Sequence, residues 1–142
     1  MKPGEVWEHP RYLYRNGAYI MKYIVVLSSK DNRSNPLIAR ITKQSNGLPS
    51  RPPCYNGNPK SGFYLGMPGG KLQRESWVTF QDIHNLDDGE YPLIDEKIIR
   101  PAELIIKSDT LCSLLRCVQQ NEDITNKQYR QIGDTLEAMG CA

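Results

Sequence analysis

Two stretches in the first third of the chain carry the clearest strand patterns. Residues 22–28 have a continuous apolar middle, as expected of a strand that is buried on both faces. Residues 37–43 alternate, which puts the side chains on two faces: Leu37, Ala39 and Ile41 on one, and Ile38, Arg40 and Thr42 on the other. If the strands pair, Arg40 and Thr42 lie on a rigid sheet with Lys22 close to them. We therefore predict a functional site at this hairpin.

The rest of the chain contains shorter strand patterns and ends in helical spacing. Strands or extended segments are predicted at residues 6–7, 62–66, 75–82, 91–99 and 102–106. Ser108 is the predicted N-cap of a helix whose apolar face carries Leu111, Leu114, Leu115 and Val118. An extra C-terminal helix, at about 125–139, begins with a capping box of Thr125 and Gln128 and ends at Gly140. The predicted fold class is mainly β with C-terminal helices.

The length of 142 residues is typical of one domain, so we predict a single domain over 1–142. Within it, residues 44–73 contain 5 Pro and 6 Gly and are interpreted as a loop insertion. Basic residues in this segment, among them Arg51 and Lys60, suit a flap over an anionic ligand. A disordered insertion without a role is the alternative.

The hydropathy and the cysteine spacing indicate the cellular compartment and the redox state of the thiols. No apolar run approaches the roughly 20 residues that span a bilayer, and the N-terminus lacks the apolar segment of a secretory signal. We expect a cytoplasmic protein without a membrane partner. The four cysteines show no CxxC spacing and no matching histidine array, so reduced structural thiols are expected rather than zinc or disulfides. Cys112 and Cys117 point apart on a helix and are not expected to bridge.

The net charge of +2 hides two halves of opposite sign. Residues 1–74 contain 12 Lys and Arg against 3 acids (+9), whereas residues 75–142 contain 6 against 13 (−7). A polyanion partner would explain the basic half, because phosphates neutralised by Lys or Arg release condensed counterions. The alternative is that basic loops and acidic helices attract each other within the fold.

Arginines and tyrosines interleave after the first predicted strand, at Arg11, Tyr12, Tyr14 and Arg15. Guanidinium groups for phosphates and aromatic rings for unstacked bases are the two parts of a single-stranded nucleic-acid site. Together with Arg51 and Lys60, these four are the candidate RNA-binding residues. Packing at the rim of a small β domain is the alternative for the tyrosines.

The missing motifs narrow the chemistry. The chain has no P-loop, GxGxxG, GxSxG, HExxH or EF-hand pattern, so neither a cofactor nor a metal is expected. What remains is metal-free chemistry on a phosphate, and in RNA the 2′-hydroxyl already supplies the nucleophile. The candidate catalytic residues are Lys22, Arg40 and Thr42, each of which has an ordinary structural alternative as a strand or flanking residue. His9 is a candidate proton carrier, although an exposed loop histidine is the simpler interpretation.

Four short motifs in this order resemble the MazF/PemK (Kid) toxin family: GEVW, YIVVLS, IARIT and SWVTFQDIHNLD, followed by a terminal helix. The resemblance covers most of residues 4–118, with a gap across the Gly/Pro-rich segment. It implies a small SH3-like β barrel with packed helices, usually a homodimer, that cleaves single-stranded RNA without metal and leaves a cyclic phosphate. It also implies an acidic antitoxin as partner.

The family's site residues transfer unevenly to this chain. Thr42 matches the strand threonine that helps to position the scissile phosphate. Lys22 stands where the family typically has an arginine before a proline, so charge is kept and bidentate phosphate recognition is lost. The Arg-x-Asp acid and base pair of some members falls at Thr79 and Gln81, and the nearby Asp82 is expected on the opposite strand face.

Two functions follow as alternatives. The first is a metal-independent endoribonuclease toxin of a toxin and antitoxin pair, with Arg40 as the replacement cation. The second is a non-catalytic SH3-like module that binds nucleic acid or an acidic protein segment. A structural protein without nucleic-acid affinity is a third interpretation.

Overall fold

The computed structural model describes residues 1–13, 19–89 and 99–141, of which residues 11–13 and 19 are described by their backbone alone. Nine elements follow one another in these ranges: β1 (Glu5–Leu13), β2 (Tyr19–Ser28), β3 (Leu37–Thr42), β4 (Cys54–Asn56), β5 (Ser61–Gly66), β6 (Ser76–Asn85), β7 (Arg100–Ile105), α1 (Ser108–Gln119) and α2 (Asn126–Met139). The predicted mainly β fold with C-terminal helices is thus confirmed. The extended segment predicted at 91–99 lies almost entirely outside the described residues.

The seven strands form one open antiparallel sheet in the order β4-β5-β6-β3-β2-β1-β7. The predicted hairpin of β2 and β3 is present, with Tyr23 opposite Ile41 and Ile24 opposite Arg40. β1 extends to Leu13, whereas the sequence predicted a loop or hairpin from His9 onward. The core strand β2 therefore lies between two long neighbours.

Both faces of the sheet are covered around β2. The larger core joins the sheet to the helices: Val25, Leu27, Ala39, Ile41, Phe63, Val78 and Phe80 pack with Leu111, Leu114, Leu115, Val118 and Ile132. A smaller cluster occupies the opposite face: Trp7, Ile24, Val26, Ile38, Leu86 and Ile99. Ile38 is fully buried there, so this face of β3 is polar only at Arg40 and Thr42. The predicted half-buried strand is more buried than its alternation suggested.

The two helices differ in how they begin. α1 starts at Ser108 with Lys107 at the N-cap and no side-chain capping bond, so the predicted Ser108 cap is wrong by one residue. α2 has the predicted capping box: the Gln128 amide donates to Thr125 Oγ1 at 3.1 Å, and the Thr125 amide donates to Gln128 Oε1 at 3.0 Å. Gly140 ends α2 in the left-handed conformation, as predicted. Neither helix of the described ranges has the length and apolarity to cross a membrane.

The Gly/Pro-rich segment contributes regular structure to the sheet. β5 was predicted, but β4 was not, because its three residues are too short to show a period. The hairpin of β4 and β5 pairs with β6 and packs against α1. Leu72, near the end of the segment, is fully buried in the larger core. Residues 54–66 therefore belong to the fold rather than to an unstructured insertion.

All four cysteines are paired in disulfides, so the expectation of reduced thiols is wrong. Cys54 bonds to Cys117 and ties β4 to α1, with 5.6 Å between the Cα atoms. Cys112 bonds to Cys141 and ties α1 to the end of α2, with 5.9 Å between the Cα atoms. No local pattern indicates these pairs, because the two cysteines of each pair are distant along the chain and meet only through the tertiary fold. Disulfides are typical of oxidising compartments, and a cytoplasmic location stays a prediction.

Reduction of the disulfides should lower the stability substantially. They close loops of 63 and 29 residues, and loop-closure entropy gives about 4 kcal/mol for each. Peptide mapping of protein purified without reductant should find the 54 to 117 and 112 to 141 linkages. Denaturant unfolding should then show a lower midpoint after reduction. Four free thiols in the unreduced, denatured chain would contradict the pairing.

Candidate functional site

One row of side chains crosses five strands on the face that carries Arg40 and Thr42. The strand register places His9 opposite Lys22, Thr42 opposite Trp77, and Trp77 opposite Tyr64. Lys22 and Thr42 are the next positions after the pair of Tyr23 and Ile41. Because paired residues share a face, the row brings together an imidazole, an ammonium, a hydroxyl, an indole and a phenol.

A pocket of about 400 Å³ opens where β2 and β3 reach the end of the sheet. Its lining contains both Lys22 and Thr42, together with Lys43, Tyr23 and Leu72 among others. Lys22 is half-buried and Lys43 is exposed. The Lys43 ammonium lies 5.9 Å from the centre of the Tyr23 ring, within cation–π range. Two lysines therefore line this pocket.

The Thr42 hydroxyl is held by the backbone just beyond β3. It accepts from the Gln44 amide at 3.2 Å and donates to the Gln44 carbonyl at 3.3 Å. Thr42 is only 8% exposed. These bonds fix the hydroxyl at the pocket, and they also give Thr42 an ordinary structural role in turning the chain after β3.

Arg40 does not line this pocket, because it faces a carboxylate on β6. Its Nη1 lies 3.7 Å from Asp82 Oδ2, and the two side chains are 13% and 30% exposed. The expectation that Asp82 lies on the opposite face is wrong. The reason is a bulge in β6. Thr79 pairs with Arg40 and His84 pairs with Ile38, so β6 advances by five residues over a span in which β3 advances by two. The odd number of extra residues reverses the alternation after Phe80 and brings Asp82 to Arg40.

Tyr64 and Glu75 form a second polar cluster at the far end of the row. The Tyr64 hydroxyl donates to Glu75 Oε1 at 2.9 Å, and the Tyr64 ring lies 5.3 Å from the Trp77 ring, centre to centre. Trp77 is itself anchored, because its Nε1 donates to the Pro49 carbonyl at 3.2 Å. The hydrogen bond to Glu75 is the main cause that raises the Tyr64 pKa above 10.0, while the nearby charge of Arg51 acts in the opposite direction.

Of the candidate RNA-binding residues, Arg51 and Lys60 are the two whose side chains the structure describes. Arg51 is exposed and close enough to Tyr64 to affect its titration. Lys60 is exposed and its ammonium donates to the Asn46 carbonyl, so it is anchored to the neighbouring loop. Arg11 and Tyr12 belong to β1 by their backbone, and their side chains lie outside the described part of the chain. Tyr14 and Arg15 also lie outside the described residues, so the role of these four stays a prediction.

Three residues of the site had weak sequence signals. Lys43 ends the strand pattern and was not singled out, although it follows Thr42 directly. His9 was expected in a loop, whereas it lies in β1, is 6% exposed and pairs in register with Lys22. The sequence predicts Glu75 only as the start of a strand. A longer predicted strand at β1 would have included His9. The partner of Glu75 is Tyr64 on β5, and nothing in the local sequence around Glu75 indicates that contact.

The ionisable groups of the described ranges do not gather into a metal site. No group of three or more His, Cys, Asp or Glu side chains within 1–10, 20–89 and 99–141 could hold a metal ion. The pocket at Lys22 and Thr42 is lined by cations, hydroxyl, amide and apolar groups. Its chemistry suits the binding of an oxyanion.

Comparison with protein-family models, curated proteins and solved structures found no match to this chain. The resemblance to the MazF/PemK family therefore stays a prediction that rests on its short motifs.

The titration of Tyr64 tests the cluster at Glu75. The hydrogen bond favours the neutral phenol, so its stabilising effect is complete below the pKa of an unfolded tyrosine and is lost as the pH rises through the raised pKa. The difference in tyrosinate absorbance between the wild type and Tyr64→Phe should rise at a higher pH than for a free tyrosine. Glu75→Gln should move this step to lower pH. An identical step in Glu75→Gln would contradict the contact.

A double-mutant cycle tests the pair of Arg40 and Asp82. Arg40→Met and Asp82→Asn should show a coupling free energy of about 1 kcal/mol in denaturant unfolding, because the Arg40 side chain is only 13% exposed and that of Asp82 30%. Lys71 and Glu8, at 3.4 Å, form the control pair, in which Lys71 is 51% exposed. Lys71→Met with Glu8→Gln should show a smaller coupling. Equal coupling in both cycles would mean that burial does not strengthen the first pair.

Proposed function

We propose that the protein is a metal-independent endoribonuclease that cleaves single-stranded RNA, in the manner of the MazF/PemK toxins that its sequence resembles. The observation that carries the proposal is the shared pocket of Lys22 and Thr42, to which Lys43 adds a second ammonium. Lysines bind phosphate as point charges, and Lys22 on β2 and Lys43 just after β3 would hold one phosphate from two directions. The Thr42 hydroxyl would add a directional contact by turning its O–H from the Gln44 carbonyl to the phosphate, while its oxygen still accepts from the Gln44 amide.

The contacts of residues 67–72 support an SH3-like barrel as the finer fold. This segment follows β5 and reaches toward the other end of the sheet. Lys71 Nζ lies 3.4 Å from Glu8 Oε2 in β1, and a Cβ at Gly70 would lie 3.8 Å from the side chain of Leu104 in β7. A segment that links the β5 side of the sheet to β1 and β7 would curl the sheet and complete a small barrel around the larger core.

The proposed reaction needs no group that the chain lacks. The 2′-oxygen attacks the phosphorus and loses its proton, the bond from phosphorus to the 5′-oxygen breaks, and the leaving oxygen takes up a proton. Lys22 and Lys43 would stabilise the charge on the phosphorane, and Thr42 would orient one of its oxygens. His9, next to Lys22 in register, is the group that we assign to proton transfer. Arg40 pairs with Asp82, so we assign it a structural role in joining β3 to β6 rather than a contact with the phosphate.

The partners follow from the same proposal. Single-stranded RNA and an acidic antitoxin segment would both be drawn to the basic first half of the chain. A homodimer and a cytoplasmic location are further parts of the proposal. In a reducing cytoplasm the two disulfides would open, so activity should be measured on both oxidised and reduced protein.

A non-catalytic module that binds nucleic acid or an acidic segment is the second candidate. One specific observation favours it: the lining of the pocket at Lys22 and Thr42 contains neither a carboxylate nor an imidazole. RNA binding with a steep salt dependence and without cleavage would support this candidate.

An RNA cleavage assay in EDTA decides between the two. The wild type should release fragments with cyclic phosphate ends. Lys22→Ala and Thr42→Val should each lower the rate by about 100-fold, as expected when one stabilising group is lost from a charged transition state. Arg130→Ala is the matched control, because it removes one positive charge from the exposed surface of α2.

The thermal midpoint of each variant separates chemistry from folding. A rate loss in Thr42→Val at an unchanged midpoint would assign the hydroxyl to the reaction, and a matching loss of stability would assign it to the turn at Gln44. Wild-type rates in both Lys22→Ala and Thr42→Val would overturn the site.

A further inference from the structure

The cluster at Tyr64 is built as a rigid aromatic platform beside the pocket. The Tyr64 hydroxyl is held by Glu75, and its ring is backed by Trp77, which is anchored to the Pro49 carbonyl. Trp77 is mostly buried, whereas Tyr64 is half-buried and keeps part of its ring accessible. An aromatic ring that is fixed at both ends and partly exposed loses little entropy when a flat ligand stacks on it.

The position of this platform relates it to the pocket. Tyr64 on β5, Trp77 on β6 and Thr42 on β3 are successive cross-strand neighbours on one face. With neighbouring strands about 5 Å apart, the Tyr64 and Thr42 backbones are about 10 Å apart. That distance is within the reach of a nucleotide that flanks a phosphate bound at Thr42.

The charges around Tyr64 suit one nucleotide unit. Glu75 and Arg51 are both exposed; Glu75 accepts from the Tyr64 hydroxyl, and Arg51 follows by two residues the Pro49 carbonyl that accepts from Trp77. A guanidinium can bind the phosphate of the flanking nucleotide, and a carboxylate can accept from an exocyclic amino group of its base. A ring for stacking, a cation and an acceptor are therefore gathered within one small patch.

We propose that Tyr64, with Arg51 and Glu75, forms a nucleobase subsite that binds the base next to the scissile phosphate. The inference rests on the proposed function, since it needs single-stranded RNA in the pocket at Lys22 and Thr42. It deepens that function by assigning base selection to this patch. Because stacking accepts every base, the Glu75 carboxylate would provide the preference for a base with an amino group, such as adenine, cytosine or guanine.

Binding of oligonucleotides with single abasic positions tests the subsite. One abasic position should weaken binding to the wild type by about tenfold, because the stacked base is lost. Tyr64→Ala should weaken binding of the intact RNA by a similar factor and lose no more at that abasic position. Tyr64→Phe, which keeps the ring, should bind the intact RNA within about twofold of the wild type. If the affinity loss from Tyr64→Ala adds in full to the loss from the abasic site at every position of the RNA, Tyr64 stacks on no particular base and the subsite is wrong.

Two further variants distinguish failure of the base subsite from failure of the proposed function. Glu75→Gln should reduce the preference for amino-bearing bases without lowering the affinity for an RNA that has uracil at this position. Arg130→Ala controls for charge, and circular dichroism with the thermal midpoint shows whether Tyr64→Ala is folded. If the wild type binds RNA and Tyr64→Ala and Tyr64→Phe both bind equally well, the subsite fails alone. If the wild type neither binds nor cleaves RNA, the proposed function fails.

Discussion

The burial of β2 on both faces is the constraint on which the arrangement of the site depends. Ile24, Val25, Val26 and Leu27 are all fully buried, two of them against each face. A strand that fills two cores has little freedom to slip, so the positions of its neighbours β1 and β3 are fixed as well. Where β2 leaves the core, Ile20 and Met21 are 45% and 42% exposed and line the pocket with Lys22. The pocket thus lies at the end of β2 where its buried residues give way to exposed ones.

A disulfide and the β6 bulge each determine the position of one further part of the sheet. Cys54 and Cys117 anchor an edge strand of three residues, which would gain little from pairing alone. Asn56 reinforces the same contact, since its Nδ2 donates to the Cys117 carbonyl at 3.1 Å. The bulge acts on the other side of β5. It brings Asp82 to Arg40, so a carboxylate already faces this guanidinium.

The sequence predicted the parts of the fold that repeat locally. The continuous apolar run of β2, the alternation of β3 and the capping box at Thr125 each depend on neighbouring residues, and each is present. The contacts that were missed join distant positions: Cys54 with Cys117, and Arg40 with Asp82. The latter error had a definite cause, because strict alternation was assumed across a strand that bulges. Only pairing with β3 determines where such a bulge falls.

In the proposed phosphate site, Lys22 stands where the resembled family typically has an arginine, and the pocket gives this lysine a physical interpretation. A single arginine can bind a phosphate through two parallel bonds and fix its orientation, whereas one lysine supplies a point charge on a flexible stem. Lys22 lies on β2, whereas Thr42 ends β3 and Lys43 follows it directly, so the pocket is lined from two neighbouring chain segments. Three contacts from separate anchor points can orient a tetrahedral oxyanion without a guanidinium. In the proposed phosphate site, Lys43 would therefore supply the second contact that a single lysine lacks.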